Sequence, residues 1–148
     1  MFLGRTLRSV HVALSTAQER PQNTLYVLQA EILLAYYFYH CNRQLEGKYH
    51  AGAAVSLAIL CNLHKVMATV DPMGRQLFHS SGQTNLPPPM DYVDEAERIY
   101  AWWATFILDK SWAVALSSPP MISEMQEQGT IIDTPWPLTM EQYRQVSS

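Results

Sequence analysis

Four side chains in this 148-residue chain have the identities of a zinc tetrad: His40, Cys41, Cys61 and His64. Two thiolates and two imidazoles complete a tetrahedron only where they converge. Here each pair closes its own helix-patterned hydrophobic run, and the short polar segment between the runs sets those helices antiparallel. The pairs then lie at opposite ends of the hairpin, ~30 Å apart at 1.5 Å per residue. The spacing therefore excludes a metal site, and both cysteines are expected as buried free thiols in a reducing compartment. Nucleophilic chemistry has no better footing. There is no Gly-x-Ser-x-Gly elbow, neither cysteine has the electropositive surroundings that lower a thiol pKa, and the six glycines are scattered rather than gathered into a phosphate or dinucleotide loop. Glu31 is a lone carboxylate in an apolar run, and Arg98 is its expected buried partner. The aromatic residues Tyr36, Tyr37, Tyr39, Trp102, Trp103 and Phe106 recur at helical spacing. That pattern reads as core rather than as the wall of a small-molecule pocket. No catalytic residue and no metal ligand is assigned.

The elements that carry these side chains are helical throughout. A first helix is expected over Arg5–Glu19, with Leu7, Val10, Leu14 and Ala17 on one side. Pro21 breaks it, and Asn23 caps a second helix running from Thr24 to Cys41. Its stretch from Ala30 to Tyr39 is apolar nearly all round, which implies burial on several sides. A turn over Asn42–Gly47 reverses the chain into a third helix, Glu46–His64. One face of that helix carries Tyr49, Ala53, Leu57, Leu60 and His64. A second face of small side chains, Ala51, Val55 and Ala58, allows close approach of another helix, which also accounts for Gly52 in the helix interior. From Asp71 to Met90 the composition turns to Pro, Gly, Ser, Gln and Asn, predicting a long exposed connection. Asp91 caps a fourth helix that extends to about Leu116, with Asp94 and Glu95 in its positive first turn and Pro119-Pro120 beyond its end. It has two stripes: an apolar one of Ile99, Trp103, Phe106, Ile107 and Val114, and a mixed one of Arg98, Trp102, Thr105 and Asp109. A helix with bulky groups on both sides is expected between neighbours. Residues from Ser117 to Pro137 read as extended loop, and Leu138–Val146 as a last short helix.

Composition narrows the function classes. The chain has 48% hydrophobic and 16% charged residues, which excludes wholesale disorder and places one domain in this length. Its low charge share suggests a surface partly covered by further chain or by a partner. The net charge is −3, and no Lys/Arg cluster offers the basic face that phosphate neutralisation demands, so the chain alone is not expected to bind DNA. No apolar run approaches the ~20 residues of a membrane span, and the first residues lack a signal-peptide core, so an intracellular soluble protein is expected.

Three motifs, in order, carry a resemblance. Asn62-Leu63-His64-Lys65 closes the first hydrophobic block. Glu97, Arg98, Trp102, Trp103, Asp109 and Lys110 punctuate the fourth helix, followed by Ser117-Ser118-Pro119-Pro120. Ile131-Ile132-Asp133-Thr134-Pro135-Trp136-Pro137 comes last. Over Leu25–Pro137 this order and spacing resembles the regulatory domain, or middle homology region, of fungal binuclear zinc-cluster transcription factors. The resemblance puts Asn62 where the family pattern has Gly, and Ser117-Ser118-Pro119 where it has Gly-Arg-Pro. It implies an all-α fold of packed antiparallel helices with a long loop, here a partial domain occupying residues 1–148. It also implies a non-catalytic role in nuclear transcription by RNA polymerase II. Leu63, His64, Glu97, Arg98, Trp102, Trp103, Asp109 and Pro120 become motif residues whose first role is architectural. The family's DNA-reading cluster uses zinc and six cysteines, so zinc and DNA contact are implied only for another part of a parent protein; this chain is expected to be a piece, a split product or a degenerate relative. Implied partners are a second copy, a transcriptional co-regulator, and in some members a small-molecule effector. A standalone helical module that dimerises through an exposed apolar face is the alternative, and a small-ligand carrier is a more distant one.

Overall fold

The computed structural model describes residues 8, 9, 12, 21–66, 86, 87, 89–122, 132–139 and 142. Three α-helices carry it: α1 Pro21–His40, α2 Gln44–Leu60 and α3 Tyr92–Leu116, with a 3₁₀ turn Leu63–Lys65 after α2. No strand occurs among the described residues, and the fold is all-α. The helix expected over Arg5–Glu19 lies outside the described residues except for helical Arg8, Ser9 and Val12. The expected connection Asp71–Met90 and the short helix Leu138–Val146 likewise fall largely outside them. At the start of the latter, the Thr139 amide donates to Gln142 Oε1 and the Gln142 amide to Thr139 Oγ1, the reciprocal bonds of a helix capping box.

Helix α1 begins at Pro21 rather than at Thr24, so Asn23 lies inside the helix instead of capping it. Proline is at home there: its φ suits the helix, and in the first turn its missing N–H would have had no partner. The chain reverses over Cys41–Arg43, with Asn42 left-handed at φ 55°. Helix α2 then packs along α1 and against α3. It ends at Leu60, not His64, because Asn62 enters the left-handed region at φ 54°. Asn tolerates that conformation better than any residue but Gly, which explains why it can stand where the family pattern has Gly. Helix α3 begins as the sequence predicts: the Asp94 amide donates to the Asp91 carboxylate at 2.8 Å. It ends at Ser117, again left-handed at φ 49°, before the prolines are reached.

The small face of α2 is buried as expected, whereas part of each bulky face lies outward. On α2, Tyr49 and Leu60 are exposed, while Gly47, His50, Ala51, Ala54, Val55 and Ala58 are buried. The small-residue face is thus the contact face, and the tight spot is Gly47, where a Cβ would overlap the Trp112 ring. Gly52 has no such need, since a Cβ there would rest 3.8 Å from Met121 Sδ. On α3 the mixed stripe is buried at Arg98, Trp102, Thr105 and Asp109; of the apolar stripe Ile99 is buried, Trp103 and Phe106 are half-buried, and Ile107 and Val114 face outward. The main core gathers Leu28, Ala35, Val55, Trp102, Leu108, Trp112 and Ile122. A smaller cluster of Val27, Leu34 and Phe38 lies on another side of α1. Tyr37 and Tyr39, expected in the core, are exposed at the end of α1, and so is Cys41; Cys61 is buried. Glu31 is buried, but its partner is His50 Nδ1 at 2.6 Å, not Arg98. None of the described helices is long and apolar enough to cross a membrane.

Candidate functional site

The three motif segments meet at one end of the bundle, around the turn after α2. The left-handed Asn62 swings Leu63 and His64 inward, and both are buried. The His64 ring lies 5.9 Å from that of Trp102. Its Nδ1 is buried without a hydrogen-bond partner. Burial holds the imidazole pKa below its ordinary value, the Lys65 charge adds to the effect, and the Asp133 carboxylate opposes it.

Residues 132–137 cross this turn as an extended strap. The Asp133 and Thr134 amides both donate to the His64 carbonyl, at 2.8 and 3.2 Å. The Thr134 hydroxyl donates to the Leu63 carbonyl and accepts from the Val66 amide. The strap then passes to α3. The Pro135 carbonyl accepts from Trp103 Nε1 at 2.7 Å, and the Trp136 ring stacks on Trp103 at 4.0 Å between centroids, 11° from parallel. The Tyr100 hydroxyl donates to the Leu138 carbonyl. Prolines at 135 and 137 keep the strap extended, because the residue before a proline disfavours the helical region.

Asp109 and Arg98 both hold backbone. Asp109 is almost wholly buried, and its two oxygens accept from the Met121 and Ile122 amides at 3.1 Å each, just past Pro120. Arg98 forms a bidentate pair with Asp94, at 3.0 and 2.9 Å, and donates to the Pro87 carbonyl at 2.7 Å. In this way one guanidinium holds the end of the long connection to the first turn of α3. Thr105 returns its hydroxyl to the Ala101 carbonyl. Glu97 alone among the motif residues is exposed; it lines a shallow cleft of about 240 Å³ with Leu25, Tyr26, Met90, Val93 and Arg98. Among the described residues, no group of three or more His, Cys, Asp or Glu side chains is placed to hold a metal ion.

The site thus brings Leu63, His64, Trp102 and Trp103 together, sets Arg98 and Asp109 further along the same helix as anchors for incoming chain, and leaves Pro120 half-buried beside the Asp109 bonds. Sequence reasoning missed Thr134, whose hydroxyl ties the strap to the turn, as well as His50, Gly47 and Trp112. For Thr134 the available signal was a hydroxyl ahead of a proline within a motif; for Gly47 there was none, since its partner is 65 positions away in the chain.

No curated protein and no solved structure matches the chain. One family model does, the fungal specific transcription factor domain, over residues 8–130. That match takes in the first two motifs and reaches further toward the N-terminus than the resemblance drawn from the motifs, while the strap lies beyond its end. With more than half of its length matched, the chain belongs to the fungal specific transcription factor domain family.

Proposed function

We propose that this chain is a non-catalytic regulatory domain of a fungal zinc-cluster-type transcription factor, acting in the nucleus on transcription by RNA polymerase II. The family match over residues 8–130 carries the reading. Two further observations support it. The buried motif residues Arg98 and Asp109, and Thr105 on the same helix, are engaged with backbone or with a neighbouring side chain, as expected of a scaffold. The net charge of −3 and two cysteines fit a domain whose parent touches DNA elsewhere, through a zinc cluster built from other residues. The chain itself takes no cofactor in this reading.

The test is a fusion of residues 1–148 to an unrelated DNA-binding domain, assayed on a reporter in fungal cells. Reporter output should differ several-fold between the parent fusion and one carrying Asp109→Ala, which loosens the fold. Equal output from the two at equal protein level and nuclear content would sink the regulatory reading. A second reading, a self-associating helical module, is favoured by the outward apolar residues of α3 and is compatible with the first.

A further inference from the structure

The sequence holds two Ser/Thr-Pro dipeptides, Ser118-Pro119 and Thr134-Pro135. A hydroxyl followed by proline on an extended chain is the form in which proline-directed Ser/Thr kinases take a substrate, since proline has no N–H for the kinase's pocket to leave unpaired. Thr134 has that form: it lies in the strap, with backbone free of helix and strand on both sides. Its hydroxyl is also the strap's fastener, donating to the Leu63 carbonyl and accepting from the Val66 amide. We infer that Thr134 is a phosphorylation site for a proline-directed kinase, and that the phosphate holds the strap off the α2 turn.

Thr134 is only 6% exposed, so the kinase must meet it while the strap is lifted. The segment is suited to lifting. Asp133, Trp136, Leu138 and Thr139 around it are exposed. What secures it to the helices is a short set of bonds: the Asp133 and Thr134 amides to the His64 carbonyl, the Thr134 hydroxyl, Trp103 Nε1 to the Pro135 carbonyl, and the Tyr100 hydroxyl to the Leu138 carbonyl. A surface segment held mainly through its backbone can open locally while the helices stay packed. In the lifted state the γ-phosphoryl group of ATP moves to Thr134 Oγ1. The bond to the ADP oxygen breaks, a P–O bond to Oγ1 forms, and the hydroxyl proton passes to the kinase's catalytic carboxylate. The ester oxygen then has no proton to give the Leu63 carbonyl, and three phosphate oxygens must fit where a hydroxyl alone was buried. Asp133, the preceding residue, adds a like charge. Lys65 is the cation on the turn, but it is exposed, where a screened ion pair is worth less than the bonds lost. Ser118 has no such role: it follows the end of α3, where the negative end of the helix opposes a phosphate.

The test incubates the whole chain with an active mitogen-activated protein kinase and Mg-ATP, beside a peptide of residues 129–140, and maps phosphate by fragmentation mass spectrometry. Both should be phosphorylated at Thr134, the whole chain about tenfold or more slower than the peptide. Ser118→Ala should leave that uptake unchanged. Tyr100→Phe, outside the kinase motif, removes the bond to the Leu138 carbonyl and should speed uptake by the whole chain about threefold. In the phosphorylated chain, amide hydrogens over residues 132–138 should exchange about tenfold faster or more, with the α2 and α3 amides protected as before. A peptide that the kinase refuses overturns the inference, as does a whole chain left unmodified at Thr134 while the peptide is consumed. So does uptake indifferent to Tyr100→Phe, or a phosphorylated chain whose strap amides stay protected. The regulatory reading stands or falls separately, since phosphate is read on the purified chain and reporter output in a cell.

Discussion

Asp109 shows how a buried carboxylate can serve architecture. Its oxygens accept two backbone amides just beyond the end of its own helix, so it closes the corner that follows Ser117. Replacing it with Ala leaves two N–H groups without acceptors, a cost of about 2–3 kcal/mol. The melting temperature should fall by roughly 5–10 °C, and a melt within about a degree of the parent would contradict the role. His64 makes the opposite kind of contribution. Its folded pKa is lowered, chiefly by burial, so the folded chain keeps it neutral where the unfolded chain takes up a proton. The unfolded state therefore binds more protons, and His64's contribution is full above about pH 6.5 and is lost progressively as pH falls below that value. Melting curves from about pH 7.5 down to about pH 5 should show this loss, and His64→Phe should flatten it. An unchanged slope in that variant would assign the acid sensitivity elsewhere.

At the scale of elements, the contact between α2 and α3 turns on a single absent side chain. Gly47→Ala drives a methyl into the Trp112 ring, so it should destabilise by about 1–3 kcal/mol through overpacking. Gly52→Ala meets only ordinary contact and gains helix propensity, so it should stabilise by about 0.5–1 kcal/mol. Urea titration of both variants checks the pair, and equal shifts in the same direction would refute the assignment. The extent of α3 was legible because its signals are local: Asp91 caps it, and Pro119-Pro120 forbid continuation. Which face it buries was not. Both stripes are expected to be covered, and what periodicity cannot show is the partner each polar residue finds: Asp94 and the Pro87 carbonyl for Arg98, the Ala101 carbonyl for Thr105, and the amides at 121 and 122 for Asp109. A polar group satisfied at a distance in sequence leaves no mark on the pattern. Glu31 has the same lesson, since its partner His50 becomes a neighbour only once α1 and α2 are folded side by side. At the strap, the motif order showed that the segment belonged to the domain, but not that Thr134 fastened it.

The described residues share one principal core to which α1, α2 and α3 all contribute, with Trp102 and Trp112 inside it. Shared burial couples the helices, so thermal unfolding followed by far-UV circular dichroism and by tryptophan fluorescence should give coincident transitions. Transitions that separate would mean that the α1–α2 hairpin holds together without α3. Family membership fits this economy: the described residues present packed helices bound by internal polar clamps.

The strap across the α2 turn has a consequence for folding order and for tolerance to insertion. Its bonds to Leu63 and Val66 join residues 71 and 68 positions apart. The α1–α2 hairpin closes over a three-residue turn, so the long-range clasp should form after it, once α3 is in place. Closure entropy grows only with the logarithm of loop length, so doubling the chain inside the clasp costs ~0.6 kcal/mol, less than one typical hydrogen bond. Residues inserted between Val66 and Leu86 should therefore leave the clasp shut.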